Sequence, residues 1–207
     1  MIKDKAAIIR IVSSPLHLSG RLISLRDFVP ADEEELALLA DDEAMFEFMK
    51  FRPDASWRAR VVPRFLRQPD LGVARRDFSL AAIAENGFDG LAMIGDVTDK
   101  RKAEFGWYFC SDVWGRGYAT EATELLLAFG FRELGLVRMI AIADPENGAS
   151  IRVLTKSGLR NEGLTDTVMT WRGMRPRLLF SIDSSSWTPH DEVPSQHVVG
   201  RKEIRRA

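Results

Sequence analysis

Residues 113–121 read VWGRGYATE, and two glycines there flank an arginine just before an apolar helical pattern. A helix start leaves several backbone N–H groups without partners and carries about half a positive charge. Removing side chains at the preceding turn lets an anion approach those groups directly. Gly115 and Gly117 do this, Arg116 adds a full charge, Tyr118 and Ala119 open the helix, and Thr120 offers a hydroxyl in its first turn. The chemistry is that of holding a phosphate. Two glycines alone fit an ordinary tight turn at positive φ equally well. A P-loop is excluded, because Gly117 is followed by Tyr118-Ala119 and not by Lys-Ser/Thr, and the dinucleotide fingerprint lacks its third small residue.

Other reactive residue types are scarce. Cys110 is the single cysteine, which excludes an intrachain disulfide and a cysteine-rich metal site. Of three histidines, His17, His190 and His197, two fall in a polar C-terminal stretch, so a Ser-His-Asp arrangement is not expected. No metal is expected either. A net charge of -1 does not direct the chain to nucleic acid, and 45% hydrophobic residues in 207 suit one domain with an appendage. The opening apolar patch is broken by Arg10, too short to span a bilayer and weak as a signal peptide. A cytoplasmic protein without membrane association is the expectation.

Stepping outward, AEFGWYFC before the glycines reads as a strand. The helix after them runs from about Tyr118 to Leu134, apolar enough to be buried on a sheet, and Gly135 ends it. RLISLRDF reads as a first strand, and Pro30 followed by acids opens a helix with Leu36, Leu39 and Ala40 on one face. A second helix spans about Ser56 to Leu66, with Pro63 forcing a kink or a later start. FSLAAIAE and LAMIGDVTD read as strands around an Asn86-Gly87 hairpin signal. VRMIAIAD is a strand, NGASIRVLTKSGL a short helix stopped at Gly158, and two more strands lie near Thr165–Trp171 and Arg177–Ser184. That order predicts an α+β fold with about seven strands, mostly antiparallel and locally parallel around the long helix. Residues 1–20 read as an N-terminal extension, 21–187 as the domain, and 188–207 as a polar, flexible tail. Docking of that tail on a second subunit, in a homodimer, is the rival reading.

EFGWYFCSDVWGRGYATEA resembles the acyl-CoA-binding signature of the GNAT N-acetyltransferase superfamily, in its RimJ/RimL-type branch. DPENGASIRVLTKSGLRNEG resembles the branch's next motif, and RLISLRDFVPADEEEL and RPRLLFSIDSSSW its first and last strands. The resemblance covers about Arg21 to Trp187. It implies a mixed, mostly antiparallel sheet with a V-shaped splay between its two middle strands and acetyl-CoA as co-substrate. Pantetheine would pair with backbone around Phe109, and the pyrophosphate would sit on the amides of Gly115 to Thr120. Trp114 stands where the superfamily often has Arg or Gln, and that departure points to the branch.

Amine acetylation needs a neutral amine, a polarised thioester carbonyl and a proton for the departing thiolate. An α-amine of pKa about 7.7–8 is roughly a quarter neutral at pH 7.4, whereas a lysine near 10.4 is neutral about once in a thousand. Positioning therefore carries much of the rate for an α-amine. Glu104, in mid-strand on the face of Gly106 and Tyr108, is a base if it faces the cleft and an edge residue paired with Lys102 or Arg101 if it does not. Ser150, matching a serine that the branch places near the thioester sulfur, is a proton donor or an ordinary first-turn serine. Asn147 binds pantetheine or caps the helix. Leu154 stands about where many superfamily members carry an acidic tyrosine. Cys110 reads as a small apolar strand residue, and Trp107, Tyr108 and Phe109 as core aromatics ahead of a substrate platform.

The expected function is acetyl transfer to a primary amine, on a protein N-terminus or a small molecule. A non-catalytic acyl-CoA sensor on the same fold is the alternative, supported by the missing tyrosine. A nucleic-acid module built on Arg58, Arg60, Arg64 and Arg67 is opposed by the interleaved acids. The resemblance implies that acceptor choice lies with the first two helices, their apolar connection Met45–Trp57 and the last strand pair, unless the aromatics of that connection simply pack beneath the helices.

Overall fold

The computed structural model describes residues 15–49, 55–66, 75, 77–95, 97 and 101–189. Its frame is one sheet of eight strands: β1 His17–Ser19, β2 Ser24–Asp27, β3 Phe78–Ala84, β4 Gly87–Gly95, β5 Lys102–Phe109, β6 Arg138–Ala143, β7 Arg160–Thr170 and β8 Gly173–Asp183. Their spatial order is β1-β2-β3-β4-β5-β6-β8-β7, and among the described residues only β5 and β6 run parallel. The count is one above the expected seven, because the sheet begins inside the stretch read as an extension. Leu16 and Leu18 are buried, and Asp27 closes the pair by accepting the Leu16 amide at 2.7 Å. Three residues are too few to show an alternation.

The helices divide between the faces. On one lie α1 Glu33–Leu39, with a one-turn helix at Met45–Phe48, and α2 Ala55–Leu66, which keeps Pro63 inside it. On the other lie α3 Tyr118–Ala128, prolonged by a π turn at Phe129–Glu133, and α4 Gly148–Lys156. Strand alternation sorts β5 accordingly: Ala103, Phe105 and Phe109 join the core under α3 and α4, and Tyr108 packs with Leu36, Leu39 and Leu91 under α1 and α2. The α3 helix is buried nearly all round. Leu125, Leu126 and Leu127 are at most 1% exposed, each worth about 1.5–3 kcal/mol of burial. Phe129 meets the Phe78 ring edge-on at 5.2 Å.

The last two strands start earlier and run longer than the sequence indicated, joined by a tight turn at Trp171-Arg172 that Gly173 leaves at φ 97°. Trp187 packs on Phe131 with the Arg132 guanidinium over its ring, which closes the described fold. The readings of residues 1–14 and 190–207 lie outside the described residues.

Candidate active site

The β5–β6 ladder is short. It joins Lys102 to Arg138, Ala103 to Met139 and Glu104 to Ile140, and there it stops. Each strand then follows its outer neighbour, β5 staying on β4 to Phe109 and β6 on β8 to Ala143. Beyond Glu104 the two facing edges share no ladder bond, with each other or with another described strand. The Cys110 amide donates to Asp89 O at 2.9 Å, toward β4, so the preceding residue, Phe109, turns its amide and carbonyl into the opening. An extended chain can pair there as an added strand.

The glycine loop closes the wide end. Gly115 and Gly117 both have positive φ, 80° and 88°. A Cβ at Gly115 would meet nothing within 4 Å, so its backbone conformation, not crowding, demands glycine. Gly117 is the N-cap of α3 and supplies no side-chain cap, which leaves the first amides of Tyr118, Ala119 and Thr120 to an outside acceptor. The tight turn at positive φ is present, and it stands directly before the first helix amides. The exposed Arg116 guanidinium reaches Asp112 O at 3.4 Å, and Tyr118 leans on the Phe109 ring at 6.1 Å. The Trp114 indole N–H donates to Phe109 O at 2.9 Å, so one acceptor on the cleft edge is already engaged.

Asn147 caps α4, its Oδ1 accepting the Ser150 amide at 3.0 Å. That bond uses its oxygen, and its amide N–H groups make no hydrogen bond to a described residue. The Ser150 hydroxyl is half-buried and makes no hydrogen bond to a described residue. Leu154, 1% exposed, is sealed in the core, so no acid acts from its place. Burial, then Asp112, Asp42 and Asp89, push the Cys110 thiol up to about 11, which keeps it a neutral thiol at pH 7.

Glu104 lies at the point of the splay, half-buried, on the opposite face from Phe105. On that face a cavity of about 320 Å3 opens beneath α1 and α2. Its floor is Ser79, Leu91, Met93 and Tyr108; Leu36, Phe46, Met49 and Phe65 are among its walls, with Arg64 beside them. Burial, then the charge of Glu104, hold the Tyr108 phenol above its usual range, so it keeps its proton.

The family described as the Acetyltransferase (GNAT) domain matches residues 21–160. The chain is a GNAT acetyltransferase. It is 28% identical over 148 residues to the uncharacterized N-acetyltransferase YnaD of Bacillus subtilis (strain 168), covering 72% of this chain and 85% of YnaD. Its fold is shared with Mycobacterium smegmatis RimJ, solved in complex with CoA-disulfide, at a TM-score of 0.68 and 24% identity over 89% of this chain and 90% of RimJ. Ribosomal-protein-S5-alanine acetyltransferase from Vibrio fischeri superposes at a TM-score of 0.72 with 18% identity, over 84% of this chain and all 100% of its own.

In this acetyltransferase the residues singled out in the sequence lie on the two parting strands and on the segments that follow them. Phe109 and the 115–120 loop follow the free end of β5, Asn147 and Ser150 follow the end of β6 as the N-cap and third residue of α4, and Glu104 stands where the ladder stops. Three supports went unread in the sequence. The Glu121 carboxylate accepts the amides of Arg21, Leu22 and Ile23 at 2.7–2.8 Å, tying the loop's helix to the β1–β2 turn. Buried Asp144 accepts from Arg175 and Arg177, which hold its carboxyl below the usual range despite burial. Arg177 also donates to Phe48 O and Trp171 to Phe46 O, so the β7–β8 hairpin grips the turn that walls the cavity. Among the described residues no acid and histidine cluster could hold a metal, and no helix is long and apolar enough to cross a membrane.

Proposed function

We propose that this acetyltransferase moves the acetyl group of acetyl-CoA to a primary amine by direct attack in a ternary complex. The observation that carries the proposal is the splay, which opens at Glu104–Ile140 and ends at bare helix amides. Acetyl-CoA fits such a cleft: an unpaired strand edge for pantetheine, and the Gly115–Thr120 amides with Arg116 for pyrophosphate. Asn147 would hold pantetheine through its amide N–H groups. Glu104 takes the proton from the incoming amine, directly or through water, and Ser150 supplies one to the departing thiolate. The cleft orients the partners, and for an α-amine that positioning does most of the work.

The test is release of free CoA thiol from acetyl-CoA, followed with a panel of amines and mass spectrometry of the products. Amine-dependent release with N-acetylated product supports the reading. Saturable acetyl-CoA binding without release under any amine supports the sensor, the alternative that buried Leu154 favours. The RimJ-like fold makes protein N-termini one natural part of the panel.

A further inference from the structure

We infer that the cavity beneath α1 and α2 receives an apolar side chain of the acceptor, so that the acetylated amine sits on a carbon bearing an uncharged group of leucine, methionine or phenylalanine size. The inference rests on the acetyl-transfer reading and adds the acceptor's chemical class.

Strand register links the cavity to the reacting end. Gly95 pairs with Glu104, Met93 with Gly106 and Leu91 with Tyr108. Cross-strand partners share a face, so the cavity floor and Glu104 stand in one row. Glu104 lies about 7 Å along β5 from Gly106, so an amine held at hydrogen-bond distance from the carboxylate, about 3 Å, extends its own side chain toward Gly106. Gly106 keeps that path open: a Cβ on it would meet nothing within 4 Å. No positive φ requires this glycine, so the open space is its consequence for the site.

The lining sets the class. Met45, Met49 and Met93 bring flexible thioethers, suited to side chains of differing shape, against Leu36, Leu91 and Phe65. Arg64 is the one charged side chain among the described lining residues, and it is a cation. A polyamine would bring further cations into an apolar space beside a guanidinium, shedding water without a carboxylate among the described lining residues to replace it. A volume near 320 Å3 lies at the low end for a ligand pocket and is ample for one large side chain. Filling it should be worth roughly ten- to a hundredfold in kcat/KM over an acceptor that leaves it empty.

The experiment compares the full chain's turnover of leucinamide, phenylalaninamide, glycinamide and spermidine, and measures leucinamide binding by calorimetry without acetyl-CoA. The expected result is leucinamide and phenylalaninamide at least about tenfold above glycinamide, with spermidine no better than glycinamide. Leucinamide should also bind saturably on its own. Met45→Glu, on the half-exposed one-turn helix, should shrink the leucinamide advantage several-fold, while Met45→Leu preserves it. A leucine-first tripeptide run beside leucinamide tells a peptide terminus from a free amine as the source of that side chain. Turnover in which glycinamide or spermidine equals leucinamide, or an advantage untouched by Met45→Glu, overturns the assignment and leaves acetyl transfer standing. Saturable leucinamide binding weakened by Met45→Glu, without turnover of any amine, supports the cavity and removes acetyl transfer instead.

Discussion

The indole N–H of Trp114 donates to the carbonyl of Phe109 at 2.9 Å, joining the glycine loop to the last residue of the strand that borders the cleft. The ring itself is 52% exposed, so its contribution is this bond more than packing. Trp114→Phe removes the donor and keeps an aromatic ring, though a smaller one. Acetyl-CoA binding should weaken about fivefold, the worth of one hydrogen bond of about 1 kcal/mol, with Tm moving by only a few degrees. Calorimetry on the two proteins checks it; equal affinities would make the contact incidental.

Glu121→Gln tests the fastening between α3 and the β1–β2 turn. The carboxylate meets three backbone amides, and a glutamine must turn an N–H group toward at least one of them. A loss of about 2 kcal/mol is expected, lowering Tm by about 4–8 °C. Thermal unfolding within a degree of wild type would contradict it.

Asp144→Asn should cost more, about 3–5 kcal/mol, because it leaves Arg177 buried without its counter-charge. The acceptor KM should rise further than the acetyl-CoA KM, since Arg177 also holds Phe48 O beside the cavity. The sign with pH follows from the lowered Asp144 pKa. Its contribution is complete above the ordinary carboxylate range and is lost as pH falls below it. Wild-type stability should therefore drop in acid more steeply than that of the variant, as urea titrations between pH 3 and pH 7 would reveal.

Ser150→Ala is expected to lower kcat at least about tenfold with little change in the acetyl-CoA KM, the pattern of an interaction made mainly in the transition state. The helix cap uses the Ser150 backbone amide, so the variant keeps it and its Tm. Equal turnover would reduce Ser150 to a helix residue.

Local features were the legible ones. The β5 strand, the glycine loop and α3 each signal themselves within a few residues, by alternation, by paired glycines and by helical spacing. What stayed hidden depends on distance along the chain. Glu121 is the acid in the first turn of α3, and its partners lie about a hundred positions away. Asp144 meets its arginines across 31 and 33 positions, and Trp171 finds Phe46 across 125. The Met45–Met49 run was plainly apolar, but packing and pocket look alike in sequence, and the fold uses it for both: Phe46 is 2% exposed while Met45 and Met49 line the cavity. Strand β1 was too short to read. Strand β7 was blurred by exposed apolar residues, Leu164 and Met169, where alternation calls for polar ones.

The central claim, that acetyl-CoA lies in the splay with its pyrophosphate on the 115–120 amides, is tested most directly by titrating acetyl-CoA calorimetrically into wild type and Gly117→Val. Gly117 holds φ 88°, which valine resists, and it is the N-cap of α3, where a Cβ would lie 3.4 Å from Leu22 beside the first helix turn. The account predicts saturable binding to wild type and a loss of at least about tenfold in the variant, with the β-sheet core still folded by circular dichroism. Unchanged affinity in a folded Gly117→Val protein would contradict it.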